Sequence, residues 1–394
     1  MLLLTFTGND APGITAGITR ILAAASARLL DVEQVVVQGF LVLGFAVELP
    51  DREQALKDLL FAAKGLGLEL EYRELSPAPA PARSRYVVTA IAQELGPQAL
   101  YAISRALADH GANIERIHRL SEGGLASVEF AVSLTGDESA LKSTLLAAAG
   151  QNGFDCALQK ESLLRRNKRL VVMDMDSTLI RIEVIDELAR AHGVHEQVSA
   201  ITHRAMMGEL DFDTSLRERV ALLRGLDARV LFDLAAHLPL MDGAETLLRV
   251  LKRLGYRTAV ISGGFSHAAE ALQKRLGIDF AWSNTLEISP EGKLTGQVLG
   301  QIVNAQRKAD LLELFARREG VPLDQVIAIG DGANDLLMLQ KAGHGIAFHA
   351  KPKLREAAHT AISACGLDAI LYLLGISGRD IASVEATCSR GSAA

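Results

Sequence analysis

Residues 170–178 read Leu170-Val171-Val172-Met173-Asp174-Met175-Asp176-Ser177-Thr178. An apolar run of four, β-branched at its centre, leads straight into two carboxylates and two hydroxyls. Such an uninterrupted run predicts a strand buried on both faces, and strands of that kind belong to parallel sheets covered by helices. The pattern recurs twice. Thr258-Ala259-Val260-Ile261 breaks into Ser262-Gly263-Gly264, and Val326-Ile327-Ala328-Ile329 breaks into Gly330-Asp331-Gly332-Ala333-Asn334-Asp335. Helical patterns separate the runs, so this part of the chain reads as α/β, a doubly wound parallel sheet. Ligands of open sheets sit outside the carboxyl ends of the strands. All three polar breaks fall at those ends and are expected to meet in one crevice.

The residue types at the breaks suit phosphate and a divalent cation. Asp174 and Asp176, two apart in extended chain, project to the same side. Neighbouring carboxylates repel unless a cation or a shared proton compensates, and Asp331 adds a third. The trio predicts a hard-oxygen pocket for Mg²⁺. Ser262 offers a hydroxyl, and Gly263-Gly264 lets backbone N–H groups approach an anion. Lys308, just before a helix over 309–317, would neutralise phosphate as a point charge, with Arg307 beside it as a competing cation. Singly, these features read as a surface acid pair, an ordinary turn and a solvated lysine; together and in this order they do not. Asp174 and Ser262 stand 88 positions apart, too many for a simple crossover. Residues 187–191 and 212–223 look helical, which predicts a small helical cap over about 185–240.

Upstream, Ser76-Pro77-Ala78-Pro79-Ala80-Pro81-Ala82 forbids a helix and reads as a semi-rigid linker over 76–84. It separates two similar segments. Asp31-Val32-Glu33 and Asn113-Ile114-Glu115 lie 82 positions apart, and the same offset aligns Leu4-Thr5-Phe6-Thr7 with Tyr86-Val87-Val88-Thr89. Each copy reads as a βαββαβ module, a small antiparallel sheet with helices on one face. The expected organisation is therefore 1–75, the linker, 85–163, an α/β region over 167–375 and a tail over 376–394. The basic stretch Arg165-Arg166-Asn167-Lys168-Arg169 reads as a solvated junction.

Length and composition agree with several domains. The chain has 394 residues, which at roughly 150 per domain predicts about 2.6 of them. With 41 Lys and Arg against 47 Asp and Glu, the formal charge is −6, which argues against nucleic acid as a partner. No stretch approaches the apolar length of a membrane span, and the N-terminus, with Asp10 and no basic flank, does not read as a leader. Cys156, Cys365 and Cys388 are scattered, which suits a reducing, cytoplasmic setting.

In this order, Asp174-x-Asp176-Ser177-Thr178, Ser262-Gly263-Gly264, Lys308 and Gly330-Asp331-Gly332-x-Asn334-Asp335 resemble the four motifs of the haloacid-dehalogenase superfamily of phosphatases. With Met206-x-Gly208-x-Leu210-x-Phe212 and Ser215-Leu216-x-x-Arg219-Val220, the resemblance over 167–375 narrows to the phosphoserine phosphatases. The paired modules, with the Asp10-x-Pro12-Gly13 turn, resemble ferredoxin-like ACT domains, and the whole looks like the long form found in mycobacteria and their relatives.

The resemblance implies roles. Asp174 would be the nucleophile that carries an aspartyl-phosphate, and Asp176 the acid and then the base. Mg²⁺ would be held by the Asp174 carboxylate, the Asp176 backbone carbonyl and the Asp331 carboxylate, with Asn334 and Asp335 supporting the metal or the lysine. Ser262, Gly263 and Lys308 would cradle the phosphoryl group. Phosphoserine also carries an ammonium, for which Glu183 is the expected partner, and a carboxylate, for which Arg219 is. Met206 and Phe212 would close a lid, or simply pack the cap. The modules imply a homodimer through 1–160 and an L-serine effector at a strand-to-helix Gly turn, with Gly13 and, in the second copy, Gly111 and Asn113 as candidates. Competing readings are a related small-molecule phosphatase or phosphotransferase, or an amino-acid-sensing regulator with a relic phosphatase domain.

Overall fold

A computed structural model describes residues 1–76, 84–121 and 124–391; the expected linker falls, over 77–83, outside them. The chain divides into two compact units, Met1–Ala82 and Arg83–Ala394. The first runs β1 (Leu2–Asn9), α1 (Ile14–Ala24), β2 (Arg28–Val37), β3 (Phe40–Glu48), α2 (Arg52–Gly65) and β4 (Leu68–Glu74). Its antiparallel sheet has the order β2-β3-β1-β4. Alternation along β1 and β3 puts Leu2, Leu4, Phe6, Leu41, Leu43 and Phe45 on one face, where Ile14, Ile18 and Leu22 of α1 and Leu59 of α2 cover them. Asp51 starts α2 by accepting a hydrogen bond from the Gln54 amide.

The second unit opens with the same order: β5 (Ser84–Ala92), α3 (Pro97–Asp109), β6 (Asn113–Arg119), β7 (Ala126–Leu134), α4 (Glu138–Asn152) and β8 (Asp155–Lys160). Its strands lie β6-β7-β5-β8, the arrangement of the first copy. Next come β9 (Leu170–Met173) and four helices, α5 (Val184–His192), α6 (His195–Met206), α7 (Phe212–Ala221) and α8 (Ala228–Ala236). The chain continues through α9 (Ala244–Arg253), β10 (Arg257–Phe265), α10 (Ser266–Leu276), the hairpin β11 (Phe280–Ile288) and β12 (Leu294–Leu299), and α11 (Ala305–Arg318). It closes with β13 (Val326–Gly330), α12 (Leu336–Lys341), β14 (His344–Phe348), α13 (Pro352–Ala357), β15 (Thr360–Ile362), α14 (Ala369–Leu373) and α15 (Gly378–Gly391).

The three apolar runs are the adjacent parallel strands β10, β9 and β13. Burial on both faces is visible within β9 itself. Val171 and Met173 join one core, whereas Leu170 and Val172 join the other on the far side of the sheet. Helix α7 begins at Asp211, whose carboxylate accepts from the Thr214 amide, and Leu216 and Val220 bury its inner face.

The second βαββαβ module and the parallel sheet are continuous. Eleven strands run β12-β11-β10-β9-β13-β14-β15-β8-β5-β7-β6. The join is one antiparallel pairing, Ala361 with Cys156, fastened by the buried Asp155 carboxylate, which accepts from the amides of Ser363, Ala364 and Cys365. The basic stretch that reads as a solvated junction is also structural. Arg165 is 3% exposed and pairs with Glu129 of β7 at 2.8 Å, because a guanidinium buried at this seam needs a carboxylate. The stretch read as a tail over 376–394 supplies α15 over Gly378–Gly391, whose Ile381 and Val384 pack on the main core. Among the described residues no helix is long and apolar enough to cross a membrane.

Candidate active site

Strands β9, β10 and β13 deliver their polar breaks to one place. The Asp174 amide still donates to Ile329 of β13 at 2.9 Å, so the nine-residue stretch quoted first leaves the sheet only after that residue. Asp174 Oδ1 accepts from the Met175 amide at 2.7 Å, and the Met175 carbonyl accepts from the amides of Leu179 and Ile180. This tight loop turns Asp176 and Ser177 toward the cap. Ser177 takes φ of +54°, a conformation costly for a residue with a Cβ, and its hydroxyl donates to Glu183 at 2.7 Å.

Lys308 is fully buried, and its Nζ lies 2.8 Å from Asp174 and 2.7 Å from Asp335. Burial works against its charge, but the two carboxylates outweigh that cost and hold the ammonium above its ordinary range. The neighbouring cation is elsewhere: Arg307 lies over the Trp282 ring at 5.9 Å. Asp331 accepts from the Thr178 hydroxyl at 2.7 Å. Asp176 accepts from the Val184 amide at 3.0 Å and the Ser262 hydroxyl at 3.3 Å. At Ser262-Gly263-Gly264 the pairing of β10 with β11 shifts register, freeing this turn from the ladder. The glycines are required by close approach: a Cβ on Gly264 would lie 2.3 Å from Asp176, and one on Gly263 2.9 Å from the Phe212 ring.

Ligand atoms of Asp174, Asp331 and Asp335 all lie within 4.8 Å of one another. Burial, and then the Asp335 carboxylate, push Asp174 well above the ordinary carboxylate value against the pull of Lys308. Burial pushes Asp331 up to about 7. Three carboxylates facing one lysine leave negative charge uncompensated, and their all-oxygen character fits a hard divalent cation. The third carboxylate beside Asp174 and Asp331 is Asp335 rather than Asp176, whose side chain turns toward Ser262 and α5. Burial, and then Glu183, also push Asp176 up to about 7.

At the cap, Arg219 is half-buried on α7, its Nε donating to the Ser215 carbonyl at 3.3 Å. Burial lowers its pKa against the pull of Glu183, Asp186 and Asp176, and among the described residues its guanidinium has no ion-pair partner. Phe212 sits over Gly263. Met206 does not join it: this residue ends α6 at 64% exposure, its sulfur 3.5 Å from Lys351. Asn334 lies against Gly332. Gly13, with φ of +94°, does occupy the strand-to-helix turn into α1. Gly111 does not have the equivalent place. It follows α3, where φ of +68° and an amide bond to Ala108 end the helix, and Asn113 opens β6; the strand-to-helix turn of the second copy holds Gly96.

Sequence reasoning assigns no role to Thr178 or Asn284. Thr178 sits within a quoted motif and carries a visible signal. Asn284 carries none, yet it is 1% exposed and donates to the Gly263 carbonyl at 2.8 Å while accepting from the Val303 amide at 2.9 Å.

Comparison with known proteins agrees with this geometry. Residues 168–343 match the haloacid dehalogenase-like hydrolases, and residues 1–73 and 84–159 each match an ACT domain. The chain is 47% identical to a phosphoserine phosphatase of Streptomyces coelicolor over 98% of this chain and 94% of that one. It is 42% identical to phosphoserine phosphatase SerB2 of Mycobacterium tuberculosis over 98% and 95%. A solved haloacid-dehalogenase family hydrolase, t0658 of Salmonella enterica serovar Typhi, superposes with a TM-score of 0.67 at 31% identity, covering 73% of this chain and 98% of that one. The chain therefore belongs to the phosphoserine phosphatase family of the haloacid dehalogenase-like hydrolases.

Proposed function

We propose that the chain hydrolyses O-phospho-L-serine to L-serine and phosphate, the last step of serine biosynthesis, through a phosphorylated Asp174. The observation that carries this reading is the lysine bridge: Lys308 draws together Asp174, which follows β9, and Asp335, in the loop after β13. Asp174 attacks phosphorus, and the bond from phosphorus to the serine oxygen breaks. Asp176 gives that oxygen a proton; a carboxyl pushed up to about 7 can both give and take a proton near neutral pH. Asp176 then takes a proton from the water that attacks the aspartyl-phosphate, releasing phosphate. Ser262, the Gly263-Gly264 amides and Lys308 hold the transferring group. Asp174 and Asp331, with the Asp176 carbonyl, would hold Mg²⁺, which would supply charge neutralisation for the phosphoryl oxygens. Asn334 and Asp335 order this cluster, and Phe212 excludes water above it.

Glu183 takes the substrate ammonium, and Arg219 its carboxylate. Phosphate release from phosphoserine, phosphothreonine and sugar phosphates tests the substrate class; equal turnover of all three overturns it. Arg219→Ala is expected to cost on the order of 2 kcal/mol in kcat/KM for phosphoserine but little for phosphoethanolamine, which lacks the carboxylate. Equal losses on both make Arg219 structural.

The ACT modules suit an amino-acid effector, and L-serine, the product, is the one we assign, with Gly13 at the turn that receives its carboxylate. Inhibition by L-serine that is purely competitive with phosphoserine removes this assignment. Strand β2 is exposed throughout, with Leu29, Val32, Val35 and Val37 each about half exposed or more. An apolar edge of that length needs a partner, which supports a homodimer; a monomer mass by light scattering overturns it. Cys156 and Cys365 are buried free thiols, as suits a cytoplasmic enzyme.

A further inference from the structure

The cap helix α7 is tied to the sheet domain by a bond that the chemistry above does not use. Asn304 is the N-cap of α11: its Oδ1 accepts from the Arg307 amide at 3.1 Å, and its carbonyl accepts from the Lys308 amide at 2.9 Å. The other end of the same side chain, Nδ2, donates to Asp213 Oδ1 at 3.0 Å. Asp213 stands in the first turn of α7, beside Phe212 and six residues before Arg219. One amide thus spans the helix that carries Arg219 and the helix that carries Lys308. The base of the tie is rigid, since Asn284 holds Val303, the residue before Asn304, to the Gly263 carbonyl.

We propose that Asp213 and Asn304 are positioning residues that fix the span between the two ends of the substrate, carboxylate at Arg219 and phosphate at Lys308. The inference rests on the phosphoserine reading and adds a determinant of specificity to it. A substrate bound at two points gains from both only if their separation is preset, and a misplacement of about 1 Å costs as much as ~100-fold in rate. Both tie residues are half-buried, so the bond is shielded from water without being locked in the core, and it can break and re-form as the cap moves.

The test compares KM for phosphoserine with the inhibition constant of inorganic phosphate, which fills only the Lys308 end. In Asp213→Ala, KM is expected to rise about 10-fold while phosphate inhibition stays within about 2-fold. Asn304→Asp keeps the helix cap but sets two carboxylates against each other, so it is expected to raise KM at least as far. Combining Asn304→Asp with Asp213→Asn re-forms the bond with donor and acceptor exchanged, and KM is expected to return to within about 3-fold of the native value. Should Asp213→Ala fail to fold, the exchanged pair still decides. A double variant no better than Asn304→Asp alone, or phosphate inhibition weakened as much as KM, overturns the tie. A native chain that releases no phosphate from phosphoserine overturns the functional reading and the tie with it.

Discussion

An Asp174→Asn variant is expected to lose turnover by ~10⁴-fold or more and yet to fold as the native chain does. The amide keeps an oxygen for the Met175 amide, now bonded at 2.7 Å, and occupies nearly the same volume. Removing one of three clustered carboxylates relieves repulsion that burial has already made costly, and Lys308 retains Asp335 at 2.7 Å. Thermal unfolding should therefore stay close to native while phosphate release disappears. Substantial activity in a folded Asp174→Asn protein overturns the covalent route; an unfolded variant shows instead that the Lys308–Asp174 pair is needed for stability.

Chelation is expected to have an effect nearly as large. Exhaustive EDTA should abolish turnover and Mg²⁺ should restore it, because Asp174 and Asp331 cannot face a phosphate dianion uncompensated. A second readout does not depend on activity. Burial raises the apo Asp331 carboxyl to about 7 from an unfolded value near the usual ~4. A raised folded pKa contributes stability that is fully present below the unfolded value and is lost as pH climbs to the folded one. The metal-free chain should accordingly lose stability between about pH 4 and pH 7. Mg²⁺ would bind the deprotonated site, so its stabilising effect is expected to grow across that same interval. A Tm shift on adding Mg²⁺ that is absent, or larger at pH 5 than at pH 8, overturns the metal assignment.

The parts of this site legible in the sequence are those whose partners lie next to them in the chain or at the ends of strongly apolar strands. Asp174, Ser262 and Asp331 announce themselves because an apolar run stops abruptly at each. The helices of the cap are legible from the 88-position separation of Asp174 and Ser262 and from their periodicity. Lys308 and Arg307 cannot be separated by sequence, since adjacent helix positions differ by about 100° in direction, and only the packing of α11 shows which one turns inward. Gly111 is misleading for a similar reason: a glycine that ends a helix and one that begins it look alike without the register of α3. Asn284 and the bond from Asn304 to Asp213 are invisible, because those partners stand 19 to 91 positions away. The junction is the clearest case. Arg165 looks solvated in a basic stretch and is buried because a whole module docks there.

That docking has left its record in the divergence of the duplicated modules. Strands β4 and β8 close the same position in the two copies, yet they are composed on opposite principles. Strand β4 reads Leu68-Glu69-Leu70-Glu71-Tyr72-Arg73-Glu74 and is largely exposed. Its charges guard an open edge against intermolecular pairing, the usual protection against aggregation. Strand β8 begins Asp155-Cys156-Ala157-Leu158 and is buried, and its edge carries no such guard because β15 has taken it. Cutting the gene between the second module and the phosphatase would expose two unguarded edges, those of β8 and β15. The second module is thus bound to the enzyme by strand pairing, a dependence that the four-stranded sheet of the first, complete within its own unit, does not have.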